Sequence, residues 1–424
     1  MKLNMGNKRK DIRTLAMKYD KLQTLMCYVN KETLIEQHKK QMKGKASGID
    51  GVTKEEYDEN LEQNIDNLVT RMKKFSYRPQ PVRRTYIPKS GSDKLRPLGI
   101  PAYEDKLVQG SMAYVLNEIY ETKFLDCSYG FRPNRNCHQA IREINQTIMI
   151  KKVNYILDAD IKGFFDNVDH KWLMEFLRHD IEDKNFLRYV TRFLKSGIIE
   201  DMKYYENDKG TPQGGLISPV LANVYLHYVL DLWFEKGVRP KLKGEAYLVR
   251  YADDFIIMFQ YENEAQKVYE LLKERLKKFN LELAEDKTRI IPFGRFKGNK
   301  ESFDFLGFSH YNSKTRTRKY TIQHKISKKK KKAKKQAIKQ WIKENMHKGL
   351  VDVIERLNKK LIGMYAYYGI NGMINDLLGI YKYTKYNLYK IMCRRSQKKI
   401  NGIKYNLILE RIPIVKPKIY QTIW

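Results

Sequence analysis

The stretch VRYADDFIIMF, Val249 to Phe259, constrains the fold of this chain more than any other. Apart from Arg250 and the adjacent pair Asp253 and Asp254, its residues suit a buried β-strand. An unpaired carboxylate is costly to bury, and two neighbouring ones repel each other as well. The cost falls away if the acids sit at a turn between two short apolar runs. The wider segment EAYLVRYADDFIIMFQY has that pattern and predicts a β-hairpin with Asp253 and Asp254 at its tip. Side chains in a turn need not alternate between faces, so both acids can reach solvent at the edge of a sheet.

A second segment supplies company for this pair. NYILDADIKGFFDNVDH, Asn154 to His170, opens as a strand of large apolar residues and ends in turn-forming ones. Paired beside the hairpin, it would bring Asp160 to Asp253 and Asp254. Three converging carboxylates need cations, and hard oxygen ligands favour Mg²⁺, which keeps positions open for phosphate oxygens. Two such ions stabilise the attacking and leaving oxygens of an in-line phosphoryl transfer. ADD alone would mean no more than a solvated turn, so the surrounding sequence has to decide.

Around these segments the pattern is mixed α and β. Arg13 to Lys43 reads as helical, and Thr53 reads as the N-cap of a helix beginning KEEYDENL. Tyr77 to Pro101 holds five prolines and suits loops and short strands. Helical patterns follow over Glu104 to Tyr120, over KWLMEFLRHDI, from about Ser218 to Lys236, and over ENEAQKVYELLKERLKKFNLEL. FDFLGFSHY, Phe303 to Tyr311, is a further strand candidate. Strands this close in sequence pair antiparallel, which predicts an α+β core. The four cysteines lie far apart, without a CxxC pair, so neither a zinc site nor a disulfide framework is expected. The N-terminus lacks an apolar signal core, and no run is long enough to span a membrane.

Charge then separates the chain into two textures. Residues 312–424 contain 29 Lys and Arg against 5 Asp and Glu, and so carry +24 of the chain's net +33. Lys325 to Lys335 alone holds eight lysines in eleven residues. A nearly balanced front part joined to a strongly basic, helical remainder points to a polyanionic partner, nucleic acid above all.

Taken in order, these blocks resemble reverse transcriptases, specifically those encoded by group II introns. GIDGVT resembles the family's N-terminal insertion, and LRPLGIPAYEDKLVQ and SYGFRPNRNCHQAI its fingers segments. DADIKGFFDNVDH resembles the strand bearing the first catalytic aspartate, and YADD the catalytic hairpin. GTPQGGLISPVLANVYL is similar to the loop and helix beneath the templating base, FDFLGF to the primer grip, and CRRSQKK to the end of the maturase domain. The resemblance runs from about residue 46 to 400 in the family's own order. It implies a right-hand polymerase of α+β class, with fingers and palm built of antiparallel sheet plus helices, followed by an α-helical thumb and maturase domain X. The expected divisions are 1–75 for an N-terminal extension and first fingers segment, 76–311 for fingers and palm, 312–400 for thumb and domain X, and 401–424 for a short basic tail.

By the same resemblance Asp160, Asp253 and Asp254 bind two Mg²⁺, with the Ile161 carbonyl as a further ligand. Asp158 is a rival on the same strand face, but the family's aspartate directly precedes IKGFF. Lys287 aligns with a lysine proposed as general acid toward pyrophosphate. Lys89 and Arg96 correspond to residues that hold the incoming triphosphate, with Lys94 as an alternative to Lys89. Phe165 corresponds to the aromatic that excludes a 2′-OH, while Phe164 or Phe165 also has to serve the core. Gln213 and Gly214 line the nascent base pair. Phe305, Leu306 and Gly307 correspond to the primer grip. Lys328, Lys329, Lys330, Lys331 and Lys332, with Arg394 and Arg395, are the candidate RNA contacts, read without base specificity. In YKYTKYNLYK tyrosines alternate with lysines, a pattern suited to base stacking or to a helical core.

Two departures from the family are visible. GMYAYYG, Gly363 to Gly369, places Met364 where the family often has tryptophan. Only 25 residues follow CRRSQKK, too few for the zinc-containing endonuclease domain of many relatives. Such a chain should not cut a second DNA strand itself and should use an existing primer, such as a replication-fork end. The implied partners are group II intron RNA, an RNA template with a DNA or RNA primer, target DNA and dNTPs, with no membrane and no zinc. The expected location is a bacterial cytoplasm, with an organelle also compatible. Two other readings are a free-standing reverse transcriptase recruited to host defence and an RNA-binding splicing factor with no polymerase role.

Overall fold

The computed structural model describes residues 3–88, 95–201, 203–211, 214–297, 301–395 and 400–423. Its chain divides into two compact units, one of Met1–Pro88, Lys94–Ala140 and Ile156–Ile290, the other including Ile141–Tyr155 and Ile291–Trp424. Eleven strands occur among the described residues. They are β1 (Val82–Pro88), β2 (Leu95–Ile100), β3 (Tyr155–Asp160), β4 (Ile198–Glu200), β5 (Lys203–Tyr205), β6 (Ala246–Tyr251), β7 (Asp254–Phe259), β8 (Arg289–Pro292), β9 (Ser302–Phe305), β10 (Phe308–Lys314) and β11 (Tyr320–Ile326).

The first unit contains a four-stranded sheet of order β2-β1-β4-β5, with β1 antiparallel to β2 and parallel to β4. A second sheet has the order β6-β7-β3-β8, so the hairpin strand β7 lies directly beside β3. The division between the units falls within β8. Helix Tyr103–Tyr120 is buried on nearly every side. Even its polar residues Asp105, Gln109, Ser111 and Glu118 are buried. Thr53 caps the next turn as predicted. Its hydroxyl accepts from the Glu56 amide while the Glu56 carboxylate accepts from the Thr53 amide, a reciprocal capping box.

One helical expectation is corrected. Arg13 to Lys43 is not continuous but forms helix Leu3–Lys18, a 3₁₀ turn at Leu25–Tyr28 and helix Lys31–Lys40. Two local preferences break it. Thr24 adopts a left-handed conformation, and Asn30 caps the second helix by accepting from the Thr33 amide. In the gap, Leu22 exchanges backbone hydrogen bonds with Asp180 and Glu182.

The second unit carries the antiparallel sheet β11-β10-β9 and helices Lys328–Glu344, Leu350–Tyr368, Ile374–Arg395 and Gly402–Arg411. FDFLGFSHY, expected as one strand, is a hairpin, since Phe305 pairs with Phe308 across the turn Leu306–Gly307. Both turn residues have positive φ, at 50° and 81°, the sign pattern of a type I′ turn matched to strand twist. Phe308, Ile326, Ile354, Leu361, Tyr365 and Ile380 share one apolar core. Residues 401–423 join it through Tyr405, Ile414 and Ile423.

The lysine run opens helix Lys328–Glu344. Lys328, Lys329 and Lys332 are exposed and Lys330 is half-buried, whereas Lys331 is taken up by Asp376 at 2.6 Å. The same carboxylate accepts from the Ile326 amide at 2.9 Å, tying the end of β11 to helix Ile374–Arg395. Lys331→Ala is therefore expected to lower stability by about 1 kcal/mol, while Lys328→Ala and Lys329→Ala leave it unchanged. Thermal denaturation followed by circular dichroism separates the two outcomes.

Candidate active site in the first unit

The geometry begins at the hairpin. β6 and β7 pair from Ala246 opposite Phe259 to Tyr251 opposite Asp254, leaving Ala252 and Asp253 as a two-residue turn. Ala252 has a φ of +58°, an uncommon conformation for a residue with a Cβ. With positive φ at the first turn position only, the turn has the sign pattern of type II′, where glycine is the usual occupant. Asp253 is thereby presented at the tip and Asp254 at the first position of β7.

Asp160 ends β3, the neighbour of β7. Its charge reaches both turn acids. Asp254 touches solvent, yet protein crowds it on most sides. This desolvation, reinforced by the charges of Asp253, Asp160 and Asp158, lifts its carboxyl to about 7. Desolvation, and then Asp160, also raises Asp253. Arg96 on β2 opposes that rise, which places its guanidinium within electrostatic range of the tip. Lys287 donates to Asp160 at 2.5 Å, and the hydrogen bond raises the lysine's own pKa. The rival acid, Asp158, lies 3.8 Å from the Arg289 guanidinium.

Chemically the cluster offers hard carboxylate oxygens whose mutual repulsion a divalent cation would relieve. The donor set therefore fits such an ion. Among the described residues, no three His, Cys, Asp or Glu side chains are already gathered tightly enough to hold one.

Two other predicted positions, Ile161 and Phe165, follow Asp160 along the chain. Ile161 is buried just beyond β3 and bridges to Leu283. Phe164 is the core phenylalanine, while Phe165 is half-buried and lines a cavity of about 700 Å³ together with Pro97, Gly99, Gly210 and Thr211. The loop before the PQG segment is laced to Phe165, whose carbonyl accepts from the Thr211 amide at 2.7 Å. A Cβ on Gly210 would come within 2.8 Å of that same carbonyl, so glycine permits the approach. Gly214 packs against β2 just as closely, since a Cβ there would lie 2.3 Å from the Gly99 carbonyl oxygen. Lys89, Lys94 and Gln213 lie outside the described residues.

The remaining candidates belong to the second unit. Phe305 is buried, the Leu306 carbonyl accepts from the Tyr367 hydroxyl at 2.8 Å, and Gly307 lies close to the Tyr368 ring. Arg394 is exposed on helix Ile374–Arg395, and the Arg395 side chain lies outside the described residues. Of the YKYTKYNLYK tyrosines, Tyr386 is exposed, while Tyr381, Tyr383 and Tyr389 are half-buried.

Sequence reasoning passed over four residues behind the hairpin: Gly130, Asn223, Asp231 and Arg250. Their signal was an isolated charge in each of two apolar runs, Asp231 in HYVLDLWF and Arg250 in VRYADD, and such charges call for each other. Arg250 and Asp231 form a fully buried ion pair.

Comparison with known proteins gives a consistent picture. The family model for reverse transcriptase (RNA-dependent DNA polymerase) matches residues 87–310. The group II intron-encoded protein LtrA of Lactococcus lactis subsp. cremoris is 34% identical over 306 residues, covering 58% of this chain and 50% of that protein. Protein YkfC of Escherichia coli (strain K12) is 33% identical over 302 residues, covering 63% of this chain and 77% of that protein. A putative COX1/OXI3 intron 2 protein of Saccharomyces cerevisiae is 30% identical over 294 residues, 57% of this chain and 33% of that protein. The chain thus spans half the length of LtrA. No helix among the described residues is long and apolar enough to cross a membrane.

The raised carboxyl of Asp254 has a thermodynamic consequence. Its folded value of about 7 exceeds the ordinary value of 3.8, so it adds stability below about pH 4 that is lost as pH rises through 7. In chelator-treated protein, Asp254→Asn is expected to melt above wild type at pH 8 and level with it at pH 4. Equal melting differences at both pH values would show that the charge is not the cause.

Proposed function

The chain belongs to the reverse transcriptase (RNA-dependent DNA polymerase) family, and on that premise we propose that it copies RNA into DNA and also binds a group II intron RNA as a maturase. In that role it assists splicing and intron mobility by target-primed reverse transcription. The observation that carries the polymerase reading is the convergence of Asp160, Asp253 and Asp254, with two of the three carboxyls raised by desolvation and then by neighbouring carboxylate charge. Family members use divalent metal ions, and Mg²⁺ is the proposed ion here. Asp160, Asp253 and Asp254 would hold two of them, with the Ile161 carbonyl as a further ligand. When bound, the ions lower the pKa of the primer hydroxyl and neutralise charge on the phosphates.

The chain's own residues supply the positioning. Arg96 grips the triphosphate, a task suited to a guanidinium's bidentate geometry, and Lys89 is its proposed partner. Lys287, which rests on Asp160, is the proposed proton donor to pyrophosphate. Phe165 lines the cavity beside Gly210 and Thr211, where a rigid ring would meet a ribonucleotide's 2′-OH. Gln213 and Gly214 flank the new base pair, and close packing of Gly214 on Gly99 supports that role. Phe305, Leu306 and Gly307 grip the primer, and their ordered turn against Tyr367 supports a fixed contact.

The maturase reading rests on charge. Lys328, Lys329, Lys332 and Arg394 are exposed in the part of the chain that carries most of the net charge and suit phosphate contacts without base readout. Arg395 and the half-buried Lys330 are secondary members of this set, while Lys331, paired with Asp376, is the weakest.

Primer extension on an RNA template tests the polymerase reading. Wild type is expected to make cDNA, to lose that activity under chelation and to regain it with Mg²⁺. Asp253→Ala should lose at least about 10³-fold in extension while keeping its affinity for intron RNA. Absence of cDNA from wild type would favour the splicing-factor reading. Phe165→Ala is expected to admit ribonucleotides, read as extension with rNTPs in place of dNTPs.

A further inference from the structure

Arg250 is the bulkiest fully buried side chain in the described structure, and it lies three residues before Asp253. Its guanidinium uses three nitrogens. Nε and Nη2 donate to the Asp231 carboxylate at 2.7 and 2.5 Å, a side-on bidentate pair with neither partner exposed. Nη1 donates to Asn223 Oδ1 at 2.9 Å and to the Ala252 carbonyl at 3.0 Å. Asn223 in turn donates to the Gly130 carbonyl at 2.7 Å. Gly130 closes the circuit by contact, because a Cβ there would lie 2.3 Å from the Ala252 nitrogen. The backbone before Gly130 is held to the same strand, with Arg250 donating to Cys127 and Tyr129 donating to Arg250.

The network bears on one residue, Ala252, from both of its flanking peptides. The Ala252 carbonyl is bonded from within the protein, its amide side is backed by Gly130, and its φ of +58° is the strained feature of the turn. Asn223 and Asp231 reach the same guanidinium from one continuous helical segment. On a pure α-helix, residues eight apart are offset by about 80°. Here His227–Asp231 is π-helical, and its wider turns advance less per residue, which reduces that offset.

We propose that Arg250, Asp231 and Asn223 are positioning residues that hold the Ala252–Asp253 turn in its strained form and so set the cation-binding geometry of Asp253 and Asp254. This rests on the reading of those acids as cation ligands. The competing account is that the pair merely fills the core. Removing one partner cannot separate the two, because a lone buried charge destabilises the fold under either. Replacing both can. Buried ion pairs exchanged for apolar residues of similar volume often retain or gain stability.

The test uses the full-length double variant Arg250→Met/Asp231→Leu, with Mn²⁺ binding followed by electron paramagnetic resonance and folding by thermal melting. Positioning predicts a melting temperature near wild type, Mn²⁺ affinity lower by about tenfold and a parallel rise in the Mg²⁺ needed for half-maximal extension. Wild-type Mn²⁺ affinity in the folded double variant would overturn the proposal. Asn223→Ala leaves the ion pair in place and supplies an independent arm should the double variant not fold. It is expected to weaken Mn²⁺ binding about threefold, less than the roughly 10- to 100-fold typical of an outer partner because the ion pair remains, and unchanged affinity would again overturn the proposal. Asp253→Asn is the control for the premise: if wild type has no Mn²⁺ site sensitive to it, the cation reading itself fails, whatever Arg250 does.

Discussion

Repulsion among three carboxylates is the constraint on which this structure turns. Desolvation, and then the charge of Asp160, raises the proton affinity of both Asp253 and Asp254. A flexible chain would let them drift apart. The first unit prevents this with a two-residue turn, a central strand beside β3 and a buried guanidinium bonded to the turn's own carbonyl. Lys287 on Asp160 and Arg289 near Asp158 provide local counter-charge, and neither is buried. The site is thus rigid where it sets direction and polar where it meets solvent.

The interior behind the hairpin carries an unusual load of polar groups for a core. Arg250, Asp231 and Asn223 are all essentially inaccessible, and burial disfavours the arginine's charge. Asp231 more than offsets that penalty, so the guanidinium stays charged. An apolar cluster would fill the same space but could not bond a specific carbonyl. Polar cores of this kind exchange some stability for one defined arrangement, and here that arrangement concerns the peptide just before Asp253.

In the second unit the basic composition divides by task. The lysine run looks uniform in sequence, yet one helical face is committed to packing. Lys331 meets Asp376, and Lys335 lies over Tyr383 at 5.0 Å. The tyrosine-rich segment divides likewise, with Tyr386 left facing solvent. A helix of about 3.6 residues per turn assigns neighbouring residues to different environments, which a composition count cannot register.

Much was nevertheless legible in the sequence. Alternation of two apolar runs around YADD dictated a hairpin, Thr53 and Glu56 dictated a cap, and the ordered motifs identified the family, because each depends on residues close along the chain. Other features depended on residues far apart. Nothing local to Arg250 names Asp231, and nothing local to Gly130 reveals that it must admit the Ala252 amide. Phe164 and Phe165 are adjacent and chemically identical, yet only folding sends one to the core and the other to a cavity wall. Sequence by itself determined which chemistry the chain carries, since carboxylates, guanidinium and glycines are fixed by type. Tertiary structure alone decided which of them share a site, because that depends on long-range packing and on the desolvation that packing imposes.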